Sequence, residues 1–220
     1  MDPLLSHENT SAGSRKDGAT RISVPRLCVT ALSGGGGKTL LALGLGRALV
    51  ERGITVKPFK KGPDYIDAAW LARACRNSAT NLDPFFLSPE ALRTLFYGSL
   101  VPKPGGMPPG MALLEGNRGL FDGFDAKGTC STAELARLLG MPLVLSLDCT
   151  KMTRTAAALV QGVLNFETGL VFLGVVLNNV GSSRHARHVR DAIEGHTDLP
   201  VLGALPRLIE TPLPERHMGI

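Results

Sequence analysis

Ser33-Gly34-Gly35-Gly36-Gly37-Lys38-Thr39 decides the fold of this 220-residue chain. The stretch follows an apolar run at residues 27–32 and precedes a second apolar run that starts at Leu40. A strand, a glycine-rich loop and a helix in this order are typical of a phosphate-binding loop, because glycines let successive backbone N–H groups converge on one anion. The expected ligand is a nucleoside triphosphate, with Lys38 on its β- and γ-phosphates and the Thr39 hydroxyl on Mg²⁺. Leu32 stands where the strict loop pattern has glycine.

The composition indicates a soluble enzyme with one domain. Hydrophobic residues make up 44% of the chain, enough for one sizeable core, and the net charge of +5 suits anionic ligands. Nucleic acid is not an expected partner, because the basic residues are scattered and only 5% of residues are aromatic. No membrane contact is expected, since no apolar run approaches the roughly 18 residues of a membrane span. We predict a disordered tail at residues 1–24 and a single domain at residues 25–220.

The four cysteines form no C-x-x-C pair, and two of them lie on or beside predicted buried strands. Reduced thiols in a cytoplasmic protein are therefore expected, rather than disulfides or a zinc site.

From Arg26 onward, short β-rich runs alternate with helical periodicity. Strands are predicted at residues 27–32, 55–59, 111–114, 143–147, 171–177 and 201–205. Helices are predicted at residues 38–52, 89–97, 132–139, 153–164 and 184–194, and Ser131 and Glu134 have the spacing of a capping box before the third. Three of the strands are nearly unbroken apolar runs, as in sheets buried on both faces. This order predicts an α/β fold with a doubly wound, mostly parallel sheet.

Three acidic residues, Asp64, Glu115 and Asp148, end or follow predicted strands. Ligands of such sheets collect at the carboxyl ends of the strands. Mg²⁺ between two phosphates requires a hydroxyl and one or two carboxylates at this edge. Asp64 and Glu115 are therefore expected to bind the metal; the alternative for each is a solvated loop carboxylate or a helix cap. For Asp148 a cap on the following helix is favoured.

Longer motifs carry a resemblance to a known family. They are Lys57-Pro58-Phe59-Lys60-Lys61-Gly62-Pro63-Asp64-Tyr65-Ile66-Asp67, Asn81-Leu82-Asp83, Glu115-Gly116-Asn117-Arg118-Gly119-Leu120-Phe121-Asp122-Gly123, Ser131-Thr132-Ala133-Glu134-Leu135-Ala136, Leu177-Asn178-Asn179-Val180-Gly181-Ser182 and Leu213-Pro214-Glu215-Arg216-His217-Met218-Gly219. With these motifs the chain resembles the synthetase domain of cobyrinic acid a,c-diamide synthase, with a dethiobiotin synthetase-like fold.

The resemblance implies an ATP-dependent ligase of cobalamin biosynthesis. It would amidate the a and c acetate carboxylates of a cobyrinic-acid-type tetrapyrrole through acyl phosphates that ammonia attacks. Phosphates would be held by Lys38 and the amides of Gly35, Gly36 and Gly37, and Mg²⁺ by Thr39, Asp64 and Glu115.

The resemblance also implies roles around the substrate. Tyr65, Ile66 and Asp122 would orient the carboxylates of the macrocycle. The alternatives for them are an aromatic loop anchor, a core aliphatic and a turn carboxylate. Asn178 and the Pro206-Arg207 turn would contact adenine, and catalysis would depend on the residues Lys38, Asp64, Glu115 and Asp122.

Two further expectations concern partners and competing functions. Synthases of this family continue into a glutaminase domain, and this sequence stops at Ile220, where that domain would begin. The sequence is then a fragment, or ammonia comes from a partner subunit or from solution; a homodimer is also compatible with the motifs. The competing functions are an ATP-switched positioning ATPase, which would carry lysine where Ser33 stands, and a dethiobiotin synthetase-like ligase.

Overall fold

The computed structural model describes residues 23–102 and 104–208. Strands and helices alternate along this part of the chain. They are β1 Arg26–Ala31, α1 Lys38–Glu51, β2 Val56–Lys61, α2 Tyr65–Cys75, β3 Thr80–Leu82, α3 Pro89–Gly98, β4 Met111–Glu115, α4 Thr132–Leu139, β5 Leu143–Asp148, α5 Thr155–Phe166, β6 Phe172–Val180, α6 Ser183–His196 and β7 Val201–Pro206. Residues 1–22 of the predicted tail and the motif at residues 213–219 lie outside the described residues.

The seven strands form one sheet in the order β3-β2-β4-β1-β5-β6-β7. Every neighbouring pair is parallel, which confirms the predicted α/β architecture. Strand β1 lies near the centre, where Val29 pairs with Glu115 of β4 on one side and with Val144 of β5 on the other. The carboxyl ends of all seven strands therefore meet at one edge of the sheet, with the loop after β1 in the middle.

Each face of the sheet is covered by helices, as in a doubly wound fold. Leu27 and Val29 of β1 pack in one core cluster with residues of α1 and α2. Cys28, between them in the strand, packs in the second cluster, which includes residues of α3, α4, α5 and α6. This alternation follows from the two-residue period of side chains along a strand.

Two elements were not predicted from the sequence, namely β3 and α2. Strand β3 has only three residues. Helix α2 begins after Asp64, whose side chain caps it. Among the described residues, no helix is long and apolar enough to span a membrane.

Candidate functional site

The phosphate-binding loop, residues 32–37, joins the carboxyl end of β1 to the first residue of α1. Gly35 and Gly37 have φ angles of 71° and 83°, which side chains rarely allow. A Cβ atom at Gly36 or Gly37 would also lie 2.7 Å or 2.2 Å from a neighbouring side-chain atom. The loop therefore requires glycine at these positions for steric as well as conformational reasons.

Two buried polar residues support the loop from β5 and β6. The Ser146 hydroxyl donates a hydrogen bond to the Gly36 carbonyl oxygen at 2.7 Å. The Asn178 side chain packs directly on Gly37, where its Nδ2 atom is the one that a Cβ would meet. The structure thus places Asn178 beneath the loop, and its predicted contact with adenine stays a prediction.

Lys38 lies over the loop that it follows. Its Nζ donates to the Ser33 carbonyl oxygen at 2.9 Å, and most of its side chain is buried. Burial, together with the nearby Lys60 ammonium, lowers the pKa of Lys38 to about 8. A phosphate group at this position would provide the anionic partner that the Lys38 ammonium lacks here.

Glu115, the last residue of β4, is fully buried beside the start of α1. Its Oε1 atom accepts a hydrogen bond from the Thr39 hydroxyl at 2.6 Å and one from Lys60 Nζ at 2.9 Å. Its Oε2 atom is buried and has no hydrogen-bond partner among the described residues. Burial raises the pKa of Glu115, and the Lys60 ammonium opposes this shift.

Lys60, for which the sequence predicts no role, completes the site. Its Nζ, buried at the end of β2, forms ion pairs with Glu115 and with Asp67 Oδ2, the second at 2.6 Å. Burial alone lowers the pKa of Lys60, but these two carboxylates raise it above its ordinary value. Lys60 is therefore charged, and one ammonium is shared between two carboxylates.

The residues around Glu115 fit a divalent cation. Thr39 and Glu115 provide a hydroxyl and a carboxylate in direct contact, and the free Oε2 atom is an oxygen ligand without a partner. The cluster also has one carboxylate more than its ammonium can neutralise. Within residues 23–102 and 104–208, no group of three His, Cys, Asp or Glu side chains is placed to hold a metal. Mg²⁺ would therefore depend on phosphate oxygens and water for its remaining ligands, as it commonly does.

Asp64 caps helix α2, which is one of the alternatives considered for it. Its Oδ1 atom accepts hydrogen bonds from the backbone N–H groups of Ile66 and Asp67, at 2.9 Å and 3.0 Å. These bonds satisfy two of the free donors at the start of the helix. A metal contact for Asp64 stays a prediction.

The three residues predicted to face the substrate have different surroundings. Tyr65 is 68% exposed at the first position of α2, whereas Ile66 is half-buried. Asp122 Oδ2 accepts a hydrogen bond from the Gly119 backbone at 2.8 Å, so it does organise a turn. The Asp122 carboxylate also raises the pKa of Lys38 against the effect of burial, which places it near the phosphate-binding loop. Their contacts with a substrate stay predictions.

A family model described as "CobQ/CobB/MinD/ParA nucleotide binding domain" matches residues 27–220. The chain belongs to this family.

The chain is similar to curated proteins that are longer than itself. Cobyrinate a,c-diamide synthase of Magnetococcus marinus is 42% identical over 197 residues, which cover 90% of this chain and 41% of the relative. Hydrogenobyrinate a,c-diamide synthase of Brucella anthropi is 45% identical over 193 residues, covering 87% of this chain and 42% of the relative. The chain thus spans about two fifths of the length of these relatives.

Two solved structures share the fold at low sequence identity. Chloroplast FtsY from Physcomitrella patens has a TM-score of 0.54 at 14% identity, over 83% of this chain and 58% of that chain. The hydrogenase maturation factor HypB from Archaeoglobus fulgidus has a TM-score of 0.51 at 13% identity, over 82% and 80%. Both support the fold of this nucleotide-binding domain and nothing more specific.

The remaining predicted residues of the nucleotide-binding domain lie at the other end of its sheet. Pro206 and Arg207 are exposed at the end of β7, and the Arg207 backbone N–H bonds to the Val180 carbonyl oxygen. Their contact with adenine stays a prediction. The interpretation of Asp148 as a helix cap is wrong, because its Oδ1 atom accepts two hydrogen bonds from Thr150, and α5 begins later, at Thr155.

Proposed function

We propose that this chain is the ATP-dependent synthetase part of a cobyrinate-type a,c-diamide synthase. The observation that carries the proposal is the identity of 42% and 45% to two such synthases over nearly all of the chain. The geometry supports it, since Thr39, Lys38 and Glu115 converge on one glycine-rich loop at the centre of the sheet. We further propose that the protein is cytoplasmic and takes ammonia from glutamine through a further domain or a partner subunit, with a homodimer as the expected assembly.

The proposed reaction has two steps. A carboxylate oxygen of the macrocycle attacks the γ-phosphorus of ATP, the bond to the β–γ bridging oxygen breaks, and ADP leaves. Ammonia then attacks the acyl carbon of the acyl phosphate, inorganic phosphate leaves, and a proton is lost to give the amide. Phosphoryl transfer of this kind requires mainly positioning and neutralisation of charge.

The residues of the loop supply this positioning. The backbone amides of Gly35, Gly36 and Gly37 and the Lys38 ammonium would bind the phosphates. Thr39 and Glu115, with Asp64 as a further candidate, would hold Mg²⁺, which would neutralise charge on the phosphates. Lys60 would favour the ionised form of Glu115 and hold the carboxylate in place, because the two form a buried ion pair at 2.9 Å. Asp122 and Tyr65 would orient the incoming carboxylate.

The direct test is product analysis with the 220-residue chain. Cobyrinic acid or hydrogenobyrinic acid is incubated with ATP, Mg²⁺ and ammonium chloride, and amidated products are measured by mass spectrometry. Mono- and diamides should form together with phosphate, and Lys38→Ala should lower the rate at least 100-fold, since it removes a charge from the phosphates. ATP hydrolysis that ignores both macrocycles and yields no amide would contradict the proposal and favour a positioning ATPase.

A further inference from the structure

Three exposed phenylalanines form a contiguous surface cluster, which we call the aromatic platform: Phe85, Phe86 and Phe124. Their exposed fractions are 64%, 71% and 64%. The centroid of the Phe85 ring lies 5.2 Å from the centroid of Phe86 and 6.0 Å from that of Phe124, and both pairs of rings pack edge to face. Single exposed apolar residues are common on proteins, but a joined set of aromatic rings indicates a binding surface.

The platform is held by two ordered loops. Asp83 Oδ1 accepts a hydrogen bond from the Phe85 backbone N–H at 2.9 Å, which fixes the turn after β3. The Phe124 N–H bonds to the Thr129 carbonyl oxygen in the loop that precedes α4. Cys130 Sγ then contacts the Pro84 carbonyl oxygen at 3.2 Å and joins the two loops. The rings are thus presented by a preorganised surface, which lowers the entropic cost of binding.

Two cationic side chains lie close to the platform. Lys61 ends β2 and pairs in the sheet with Leu82, just before the platform turn. Burial lowers the pKa of Lys61, the Asp83 carboxylate raises it, and the Arg118 guanidinium lowers it further, so both residues are its electrostatic neighbours. Arg118 is exposed. Lys61 is itself buried, so the exposed positive charge beside the aromatic faces is that of Arg118.

The platform lies on the half of the sheet opposite to the predicted adenine contacts. It follows β3, at one edge of the sheet, and β4, the neighbour of β1. Asn178 and Pro206, two predicted neighbours of adenine, belong to β6 and β7 on the other half, and Arg207 directly follows β7. The platform is joined to the predicted substrate loop instead, because Asn81 of β3 donates hydrogen bonds to the carbonyl oxygens of Gly62 and Asp64.

We propose that the aromatic platform stacks against one face of the tetrapyrrole macrocycle, while Arg118 pairs with a carboxylate on its rim. This inference rests on the proposed function and names the surface that would bind the substrate. A macrocycle with an apolar face and a fringe of carboxylates is complementary to a patch of rings beside an exposed cation. Stacking there would direct the rim carboxylates toward the loop that holds Tyr65 and the start of α2.

The first test removes the rings. The variant Phe85→Ala/Phe124→Ala should bind cobyrinic and hydrogenobyrinic acid about tenfold or more weakly in absorbance titrations, because two aromatic contacts are lost. Tyr97→Ala is the matched aromatic control: Tyr97 is 44% exposed near the end of α3, and its hydroxyl accepts a hydrogen bond from Arg26, the first residue of β1, at the opposite edge of the sheet. This control should bind both macrocycles normally, and all variants should bind a non-hydrolysable ATP analogue with unchanged affinity.

The second test removes charge. Arg118→Gln should weaken macrocycle binding several-fold at low salt and less at high salt, because rim pairs are screened. Arg52→Gln, an equal loss of charge at the carboxyl end of α1, should have no effect.

The outcomes separate the two proposals. If the parental chain binds a macrocycle and the double variant binds it equally well, the platform assignment is overturned and the proposed function stands. A parental chain that binds neither macrocycle overturns both. An equal loss of affinity for the ATP analogue in the double variant also overturns the platform, since the effect would then be on the fold.

Discussion

At the scale of single residues, Lys38 couples nucleotide binding to pH. Its pKa of about 8 lies below the ordinary lysine value of 10.5, mainly because it is buried. Below about pH 8 the ammonium is already charged and can pair with phosphates. Above this pH, ATP binding must take up a proton, so each further pH unit should weaken affinity by up to about tenfold. Titration of a fluorescent ATP analogue from about pH 7 to 9.5 should show this decline.

Lys38→Arg provides the control, because a guanidinium remains charged throughout this range. Its affinity, even if lower, should not change with pH. A parental affinity that stays constant up to about pH 9.5 would mean that Lys38 does not contact the phosphates.

Glu115 carries the second residue-scale prediction. Glu115→Gln keeps the shape of the side chain but removes an anionic ligand, so the Mg²⁺ concentration required for half-maximal activity should rise several-fold. Glu51→Gln, an exposed carboxylate paired with Arg47, serves as the control and should leave the Mg²⁺ titration unchanged. An identical titration for Glu115→Gln would assign Glu115 a structural role only.

At the scale of elements, the phosphate-binding loop discriminates sharply between its glycines. A methyl group at Gly37 would lie 2.2 Å from Asn178 Nδ2, and the backbone of the new alanine would have to keep a φ of +83°. At Gly34 it would meet nothing within 4 Å. Gly37→Ala should therefore weaken ATP binding at least tenfold, and Gly34→Ala should bind as the parental chain does. Equal affinities in equilibrium titrations of the two variants would show that the loop tolerates a side chain near Asn178.

Helix α1 contains two glycines whose replacement by alanine should change the free energy of unfolding in opposite directions. Gly44 is exposed with open space around it, whereas a Cβ at buried Gly46 would lie 2.6 Å from Cys75 Sγ of α2. Gly44→Ala should raise the free energy of unfolding by about 0.5–1 kcal/mol through helix propensity. Gly46→Ala should lower it by about 1–3 kcal/mol through overpacking, measured by denaturant unfolding. A stabilised Gly46→Ala would contradict the observed packing of α1 on α2.

The elements that the sequence predicted are those with long apolar or periodic runs. The predicted strand at residues 143–147 and the predicted helix at residues 132–139 agree closely with β5 and α4. Both elements are buried against the core, and this burial leaves a clear apolar pattern in their sequences. Strand β3 has three residues and one pairing partner, which is too little pattern to detect. Helix α2 begins within a motif whose sequence favours a ligand loop, and the same pattern favours Asp64 as a metal ligand over its observed place as the helix cap.

The role of Lys60 could not be predicted for a related reason. A lysine at the end of a strand usually faces water, and its burial here depends on Glu115, 55 positions later in the chain. The adjacent pair Lys60-Lys61 at the end of a predicted strand was the available signal, and both side chains are buried in the structure. The loop itself, by contrast, was predictable because the chemistry of phosphate binding is encoded within seven consecutive residues.

At the scale of the whole molecule, the two halves of the sheet contribute different residues to the proposed site. The phosphates would bind at the centre, after β1, where Ser146 and Asn178 support the loop from the β5 and β6 side. Lys60 and Glu115 approach the centre from β2 and β4 on the other side. The carboxylate to be phosphorylated would arrive from the half that bears Tyr65 and the aromatic platform. ATP and this carboxylate would then meet at Lys38.

The pKa values of the four cysteine thiols indicate which nitrogen donor the chain can use by itself. A nucleophile that hydrolyses glutamine needs a thiol of lowered pKa. Burial instead raises the pKa of Cys28 to about 12 and the pKa of Cys75 and Cys149 to about 11. The pKa of Cys130 is also raised, by burial and by the neighbouring Glu134 carboxylate. None of the four thiols therefore has the lowered pKa that glutamine hydrolysis requires.

It follows that the 220-residue chain should make amide from ammonium and none from glutamine. Free ammonia is the nucleophile, so at saturating ATP, where bound phosphates keep Lys38 charged, the rate should rise with pH. At limiting ATP the rise should stop near pH 8, because Lys38 then loses its proton before nucleotide binds. The measurement compares amide formation from equal nitrogen as glutamine and as ammonium chloride at both ATP levels. Efficient glutamine-dependent amidation would require one of these four thiols to be reactive despite its burial, and replacing each cysteine by serine would identify it.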